Sequence, residues 1–169
     1  MKIEHNYKDI EGWFNMEQQY LYLLENTPEE GIFVELGAYK GKSTSFIVTE
    51  IINRNRNIHF YTVDTFQGDS GSTDKKEVEA YKKVNVSKMY EEYSENTKQL
   101  NNCYETMVNY SYEAAEYFLD KSVDVIFIDA GHSYEAVKKD IQAWLPKMKS
   151  GGIISGHDYT AWEGVGKAV

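Results

Sequence analysis

A glycine turn between an apolar run and a hydroxyl residue is the first feature of this chain that suggests ligand binding. The apolar run Ile32–Leu36 precedes Gly37, Gly41 stands four positions later, and Ser43 follows. This order predicts a strand, a tight turn and a helix start, which bring backbone close to a nucleotide-like ligand. Dinucleotide enzymes show G-x-G-x-x-G and P-loops need G-x-x-x-x-G-K-[ST], so the spacing favours a ligand without a pyrophosphate.

Acidic and imidazole side chains follow several predicted strands. Asp64 closes the second strand, Asp129 closes the fourth, and His157-Asp158 follows the fifth. Parallel strands bring their carboxyl ends to one edge of a sheet, where ligands bind, so we expect these side chains and Glu35 to converge on one cleft. Asp129 indicates function, because a lone acid at the end of an apolar central strand has little structural reason to be there.

Alternating strands and helices are predicted to position these groups. The strands are expected at about 31–37, 58–64, 104–108, 123–129 and 151–156, and the helices at about 13–24, 43–53, 111–119 and 133–148, with one or two exposed helices in 75–100. Ser111 is the expected N-cap of its helix. With right-handed crossovers, this order predicts a three-layer, Rossmann-like doubly wound α/β fold whose sheet is mostly parallel.

Composition narrows the class of protein. The chain has 169 residues, 41% of them hydrophobic, which is enough for one domain with its own core. A formal charge of −9 argues against nucleic-acid binding, because phosphate backbones need clustered Lys and Arg. Cys103 is the single cysteine, and we find neither a long apolar span nor a signal peptide. We therefore expect a soluble cytoplasmic protein with no membrane partner.

Three segments of the sequence resemble the class I S-adenosylmethionine-dependent methyltransferases. They are the glycine turn within Val34–Ser43, Val63-Asp64, and Phe127–Asp129. The first is close to the pattern of catechol O-methyltransferase-like enzymes. Within that class, the runs Ile128–Val137 and Gly151–Tyr159 resemble methyltransferase family 24. Small-molecule and sugar O-methyltransferases are similar to this family.

The resemblance implies a cofactor site for S-adenosylmethionine. Gly37 would let the backbone approach the methionine portion, Ser43 would bind its carboxylate near a helix N-terminus, and Asp64 would accept hydrogen bonds from the ribose hydroxyls. Ser111 and Tyr112 resemble the segment that borders the adenine. The full predicted set is Glu35, Gly37, Tyr39, Gly41, Ser43, Asp64, Ser111, Tyr112 and Asp129.

The resemblance also implies a divalent cation and a proton acceptor. In the catechol enzymes an acid after the fourth strand and an acid-plus-amide pair after the fifth hold the cation. Asp129, His157 and Asp158 occupy those three positions here, and His157 departs from the pattern. Oxygen ligands suit Mg²⁺, and a histidine brings in Mn²⁺. His132 stands where several relatives have a catalytic base, and an imidazole can take a hydroxyl proton near neutral pH. We therefore expect metal-assisted O-methylation of a small molecule or sugar hydroxyl, with Asp129 and His132 as catalytic residues.

Two other functions fit the same fold. One is a cofactor-binding module that has lost turnover, and the other is a related hydroxylase or oxidoreductase. The expected domain plan is a helical segment at 1–30 packed on the core, followed by the cofactor-binding domain at 31–169 with a helical insertion at about 67–102. Class I sheets normally have two more strands after the fifth, so we expect either a fragment of a longer chain or a shortened sheet. In the second case the open edge could be covered by another subunit of a homo-oligomer.

Overall fold

The computed structural model describes residues 2–68, 85–100 and 102–169. Their five strands form one sheet: β1 Ile32–Leu36, β2 His59–Asp64, β3 Glu105–Val108, β4 Val123–Ile128 and β5 Met148–Gly156. The strand order is β3-β2-β1-β4-β5, and all four pairings are parallel. The predicted Rossmann-like doubly wound fold is confirmed. Residues 69–84 and 101 of the predicted insertion lie outside the described residues.

Six helices precede, connect or follow these strands in the described part of the chain. They are α1 Glu17–Asn26, α2 Lys42–Asn53, α3 Met89–Thr97, α4 Ser111–Ala114, α5 Tyr134–Trp144 and α6 Glu163–Ala168. Single 3₁₀ turns lie at Tyr7–Asp9, Val86–Lys88, Lys98–Leu100, Ala115–Tyr117 and Leu145–Lys147. Within the described ranges, no helix has both the length and the apolar character needed to cross a membrane.

Apolar side chains cover both faces of the sheet. Successive residues of a strand point to opposite faces, so Phe33 and Val34 of β1 enter different clusters. The cluster around Phe33 contains the buried faces of α1 and α2, and the cluster around Val34 contains residues from α4 and α5. All six residues of β4 are buried, as its nearly continuous apolar run predicts for a central strand.

Several predicted element boundaries are wrong. The first helix begins at Glu17 instead of near residue 13, because Gly12–Asn15 form part of a cavity wall instead. Ser111 is the first residue of α4, Tyr110 holds the N-cap position, and neither side chain caps the helix. The Ser111 hydroxyl donates to Asp140 instead, and α4 ends at Ala114, well short of residue 119.

The boundary between α5 and β5 also differs from the prediction. We expected a helix to Met148 that Pro146 interrupts late, but α5 already ends at Trp144 and a 3₁₀ turn containing Pro146 follows. Proline lacks the amide hydrogen that a continuing helix needs, which explains the early end. Met148 instead pairs with Val123, so β5 starts earlier than predicted and absorbs the extra residues in a register shift.

Candidate active site

A cavity of about 800 Å³ opens at the carboxyl edge of the sheet. Most of the residues predicted to do chemistry line it: Gly37, Tyr39, Ser43, Asp64, Ser111, Tyr112, Asp129, His132, His157 and Asp158. The convergence expected from the parallel strand ends is therefore present in the structure. Glu35 and Gly41, also predicted to bind the cofactor, lie outside the lining.

The glycine turn has two close backbone approaches. Gly37 has φ +94°, and a Cβ there would lie 2.0 Å from the carbonyl oxygen of Asp129, so no other residue fits between the ends of β1 and β4. Gly41 has φ +85°, and a Cβ there would lie 2.7 Å from Thr97 of α3. Gly37 therefore shapes the cavity directly, whereas Gly41 lets α3 pack against the turn.

Asp64 fixes the backbone of the same turn. Its Oδ2 accepts hydrogen bonds from the amides of Ala38 at 2.8 Å and Tyr39 at 2.9 Å, and its Oδ1 accepts one from Phe66 at 2.7 Å. Burial raises the pKa of the Asp64 carboxyl, and these amides oppose that rise by favouring the charged form. The predicted ribose acceptor therefore also orders the loop beside it.

Glu35 lies beneath the turn, fully buried, and is surrounded by hydroxyl donors. Tyr20 donates to its Oε1 at 2.8 Å, while Thr44 at 2.5 Å and Thr62 at 2.8 Å donate to its Oε2. Burial raises the pKa of the Glu35 carboxyl, and the hydroxyls of Thr44, Ser43, Thr62 and Tyr20 oppose the rise. This carboxylate joins α1, β1, α2 and β2 at one point.

Two carboxylates and two imidazoles form a compact polar cluster in the same cavity. His132 Nε2 lies 2.9 Å from Asp158 Oδ2 and 3.6 Å from Asp129 Oδ1. His157 Nδ1 lies 3.1 Å from Asp158 Oδ1 and 3.7 Å from Asp129 Oδ1. One ligand atom from each of Asp129, His132 and Asp158 lies within 4.8 Å of the other two, a spacing that could hold a metal ion. We predicted His157 as the imidazole of this set, but the three-residue group with this spacing contains His132 in its place.

The family assignment follows from a sequence match that covers this whole edge of the sheet. Residues 34–159 match a family model described as a methyltransferase domain. The chain belongs to this methyltransferase family. Its fold and the matched segment place it among the class I S-adenosylmethionine-dependent methyltransferases.

Individual relatives of the methyltransferase are distant. The uncharacterized protein y4gI of Sinorhizobium fredii is 28% identical over 125 residues, which are 74% of this chain and 13% of that protein. The chain thus spans a small part of this curated relative. The solved O-methyltransferase NovP superposes with a TM-score of 0.70 at 18% identity, covering 90% of this chain and 68% of NovP. CalS11, a TDP-rhamnose 3'-O-methyltransferase, superposes with a TM-score of 0.57 at 14% identity, covering 90% of this chain and 66% of CalS11.

The structure of the methyltransferase adds residues that sequence reasoning missed. The indole of Trp162 stacks on the His132 ring, with centroids 5.1 Å apart and planes at 21°. Asn15 Oδ1 lies 3.2 Å from His157 Nε2, and Trp13 packs beside Tyr39 with ring centroids 5.9 Å apart. Trp162 lies only four residues after Asp158, so the local sequence could have indicated it. Asn15 and His157 are 142 positions apart, so no local pattern could have indicated their contact.

Tyrosines and a lysine form the cavity wall next to β3. Tyr110 and Tyr112 stack with centroids 5.6 Å apart, and Ser111 lies between them in the chain. Lys139 Nζ lies 3.2 Å from the centroid of the Tyr112 ring. We name Tyr110–Tyr112 the adenine wall, after the segment of methyltransferases that Ser111 and Tyr112 resemble.

Proposed function

We propose that this protein transfers the methyl group of S-adenosylmethionine to a hydroxyl oxygen of a small molecule or sugar. The observation that carries the proposal is that the glycine turn and the carboxylate–imidazole cluster line the same cavity. A volume of about 800 Å³ lies in the upper part of the range usual for ligand pockets, which suits a cofactor and an acceptor together. The names of two structural neighbours, an O-methyltransferase and a TDP-rhamnose 3'-O-methyltransferase, support oxygen as the acceptor atom.

The cofactor would lie along the carboxyl ends of β1, β2 and β3. Ser43, in the first turn of α2, would receive the methionine carboxylate, because helix N-terminal amides favour an anion. Asp64 keeps acceptor capacity for the ribose hydroxyls, since each carboxylate oxygen accepts more than one hydrogen bond. The adenine would lie against Ser111 and Tyr112. This orientation directs the sulfonium toward Asp129.

His132 would take the proton of the attacking hydroxyl. The hydroxyl oxygen forms a bond to the methyl carbon as the carbon–sulfur bond breaks, and S-adenosylhomocysteine leaves with the bonding electrons. The hydroxyl proton passes to His132, and Asp158 at 2.9 Å stabilises the imidazolium that results. Alignment of the two reactants in one cavity supplies the larger part of the acceleration.

The cluster also has a donor set that fits a divalent cation. Asp129 and Asp158 offer carboxylate oxygens, and either His157 or His132 offers the imidazole. Mixed oxygen and nitrogen donors suit Mn²⁺ as well as Mg²⁺. A bound cation supplies Lewis acidity that lowers the pKa of an acceptor hydroxyl. We propose Asp129, His157 and Asp158 as the ligands, which leaves His132 for the proton.

A calorimetric titration with S-adenosylhomocysteine tests the cofactor site. We expect the wild-type protein to bind it and the Asp64→Ala variant to bind it at least about tenfold more weakly, since charge-assisted hydrogen bonds to the ribose are lost. Asp120→Ala, an exposed aspartate that pairs with Lys147, is the matched control and should bind normally. If the wild-type protein binds NAD but not S-adenosylhomocysteine, the result would support the alternative function as an oxidoreductase.

Methyl transfer to a panel of catechols and sugar nucleotides, read by mass spectrometry, tests the reaction. His132→Gln should lower the rate by about 10²–10⁴-fold, the contribution usual for a general base, while His59→Gln, at an exposed histidine, should leave it unchanged. Titration with Mn²⁺ separates the two histidines: His157→Gln should weaken metal binding and His132→Gln should not. The reverse result would make His132 the ligand and overturn its role as the base.

A further inference from the structure

A buried carboxylate stands directly behind the adenine wall. Asp140 of α5 is 1% exposed, and its Oδ1 accepts the hydrogen bond that the Ser111 hydroxyl donates. Its Oδ2 has no hydrogen-bond partner within residues 2–68, 85–100 and 102–169. Asp140 itself does not line the cavity. The reaction proposed above gives this acid no task.

Stability alone does not explain an acid at this position. Val137 and Trp144, the neighbours of Asp140 on the buried face of α5, are apolar, and a third apolar residue would continue that face. Burying a carboxylate that keeps one oxygen unpaired costs free energy, which raises the pKa of Asp140 to about 6. The hydrogen bond from Ser111 opposes that rise and offsets part of the cost.

The contacts around Ser111 hold the adenine wall from behind. Trp144 Nε1 donates to the carbonyl oxygen of Ser111 at 2.9 Å, so one residue of the wall is fixed through both its backbone and its hydroxyl. Lys139, next to Asp140 in α5, covers the ring of Tyr112. Lys139, Asp140 and Trp144 of α5 thus determine where the adenine wall lies. This helix follows β4, whereas the wall follows β3.

We propose that Asp140 is a positioning residue for cofactor binding, which holds Ser111 and through it sets the adenine wall for the adenosyl group. The inference rests on the proposed cofactor site. Asp140 does not touch the cofactor. It acts by restricting Ser111 to one rotamer and keeping the backbone of Tyr110–Tyr112 in the position that the ring of an adenine needs.

Calorimetric titration of folded variants with S-adenosylhomocysteine tests this role. Asp140→Ala should raise the Kd about tenfold, the loss expected for one hydrogen bond to a charged group. Asp140→Asn keeps an acceptor oxygen for Ser111 and should restore the Kd to within about threefold of wild type. Ser111→Ala should match Asp140→Ala, and the double variant should bind no more weakly than either single one, because both remove the same contact.

A second buried aspartate supplies the matched control. Asp124 of β4 is 9% exposed and accepts hydrogen bonds from the amide of Ile32 and from Lys149, but it does not line the cavity or contact the adenine wall. Asp124→Ala, the same change at this position, should lower the melting temperature and leave the Kd unchanged. Should Asp140→Ala not fold, Ser111→Ala and Asp140→Asn carry the comparison.

The outcomes separate the inference from the function on which it rests. A wild-type protein that does not bind S-adenosylhomocysteine overturns the proposed function itself. Wild-type binding with an unchanged Kd in Asp140→Ala or Ser111→Ala overturns only the positioning role. Effects of the two substitutions that add in the double variant would also overturn it, since Asp140 would then act by another route.

Discussion

Two polar centres at the carboxyl edge of the sheet are built in opposite ways. Glu35 is fully buried, and hydroxyl groups from α1, α2 and β2 donate to it. In the cluster of Asp129, His132, His157 and Asp158, the side chains of Asp129 and Asp158 are 35% and 15% exposed, and their neighbours are imidazoles. The first centre has hydroxyl donors that fit one fixed anion. The second centre consists of carboxylate and imidazole groups, which can bind protons or a metal ion.

The contrast separates structural from chemical use of a carboxylate. The hydroxyls of Thr44, Thr62 and Tyr20 donate their hydrogens to Glu35 and cannot donate them to a ligand as well. This centre therefore contributes rigidity beneath the glycine turn. In the cluster, Asp158 has φ +63°, a conformation that costs a non-glycine residue free energy. Its side chain is thereby directed between two histidines. We expect substitutions at the first centre to affect folding and those at the second to affect turnover.

The largest expected effect is the loss of methyl transfer on changing Asp158. Asp158→Asn removes the charge that would stabilise the His132 imidazolium and one proposed metal ligand, so we expect the rate to fall about 10³-fold or more. The measurement is methyl transfer to the best acceptor of the panel, with far-UV circular dichroism as the check on folding. Asp120→Asn should retain full activity. A variant of Asp158 that keeps a tenth of the rate would contradict the proposed chemistry of the cluster.

The next largest effect is on folding, at Glu35. Glu35→Ala leaves the hydroxyls of Tyr20, Thr44 and Thr62 buried without their acceptor, which should lower the free energy of unfolding by about 3–5 kcal/mol. Urea denaturation measures this loss, and Glu25→Ala, at an exposed position, should stay within about 0.5 kcal/mol of wild type. A loss below about 1 kcal/mol at Glu35 would show that its hydroxyl partners find other acceptors.

The buried carboxyl of Asp140 gives the protein a testable pH dependence of stability. Burial raises the pKa of its carboxyl from 3.8 to about 6, so between these values the folded protein binds more protons than the unfolded chain. Its contribution is therefore fully present below about pH 4 and is lost as the pH rises through 6. Relative to Asp140→Asn, the wild type should lose about 2–3 kcal/mol of unfolding free energy between pH 4 and pH 7. If the unfolding free energies of the two proteins change with pH in parallel, the raised pKa of Asp140 is refuted.

Much of the fold follows from the sequence, because hydrophobic periodicity and the succession of strands and helices along the chain can be read locally. The segment 123–128, apolar except for Asp124, predicts a central strand, and the alternation with helices predicts parallel crossovers that bring Asp64, Asp129 and Asp158 to one edge. Element ends were less predictable. Trp13 and Phe14 fit the apolar spacing of the predicted helix, but contacts of this segment with Tyr39 and His157 place it in the cavity wall.

The partners inside the site could not be derived from sequence spacing. Glu35 follows the pattern of a cofactor ligand, yet three tertiary hydroxyl contacts bury it below the cavity. Asp140 did carry a signal: it lies three residues after Val137 and four before Trp144, so an acid occupies an apolar face of a predicted helix. Its partner Ser111 is 29 positions away, and only the packing of α4 on α5 joins them.

The smallest expected effect has the opposite sign to that at Glu35. Asp158→Gly removes the strain of a positive φ and takes one carboxylate away from Asp129, while glycine adds entropy to the unfolded chain. The balance should raise the unfolding free energy by up to about 1 kcal/mol at pH 8 in the presence of a chelator. Urea denaturation of Asp158→Gly is compared with that of Asp158→Asn. The difference measures the contribution of backbone strain, because asparagine also loses the charge but tolerates the same φ. If Asp158→Gly instead unfolds more easily by over about 1 kcal/mol, the cluster stabilises the fold as Glu35 does, and the contrast between the two centres fails.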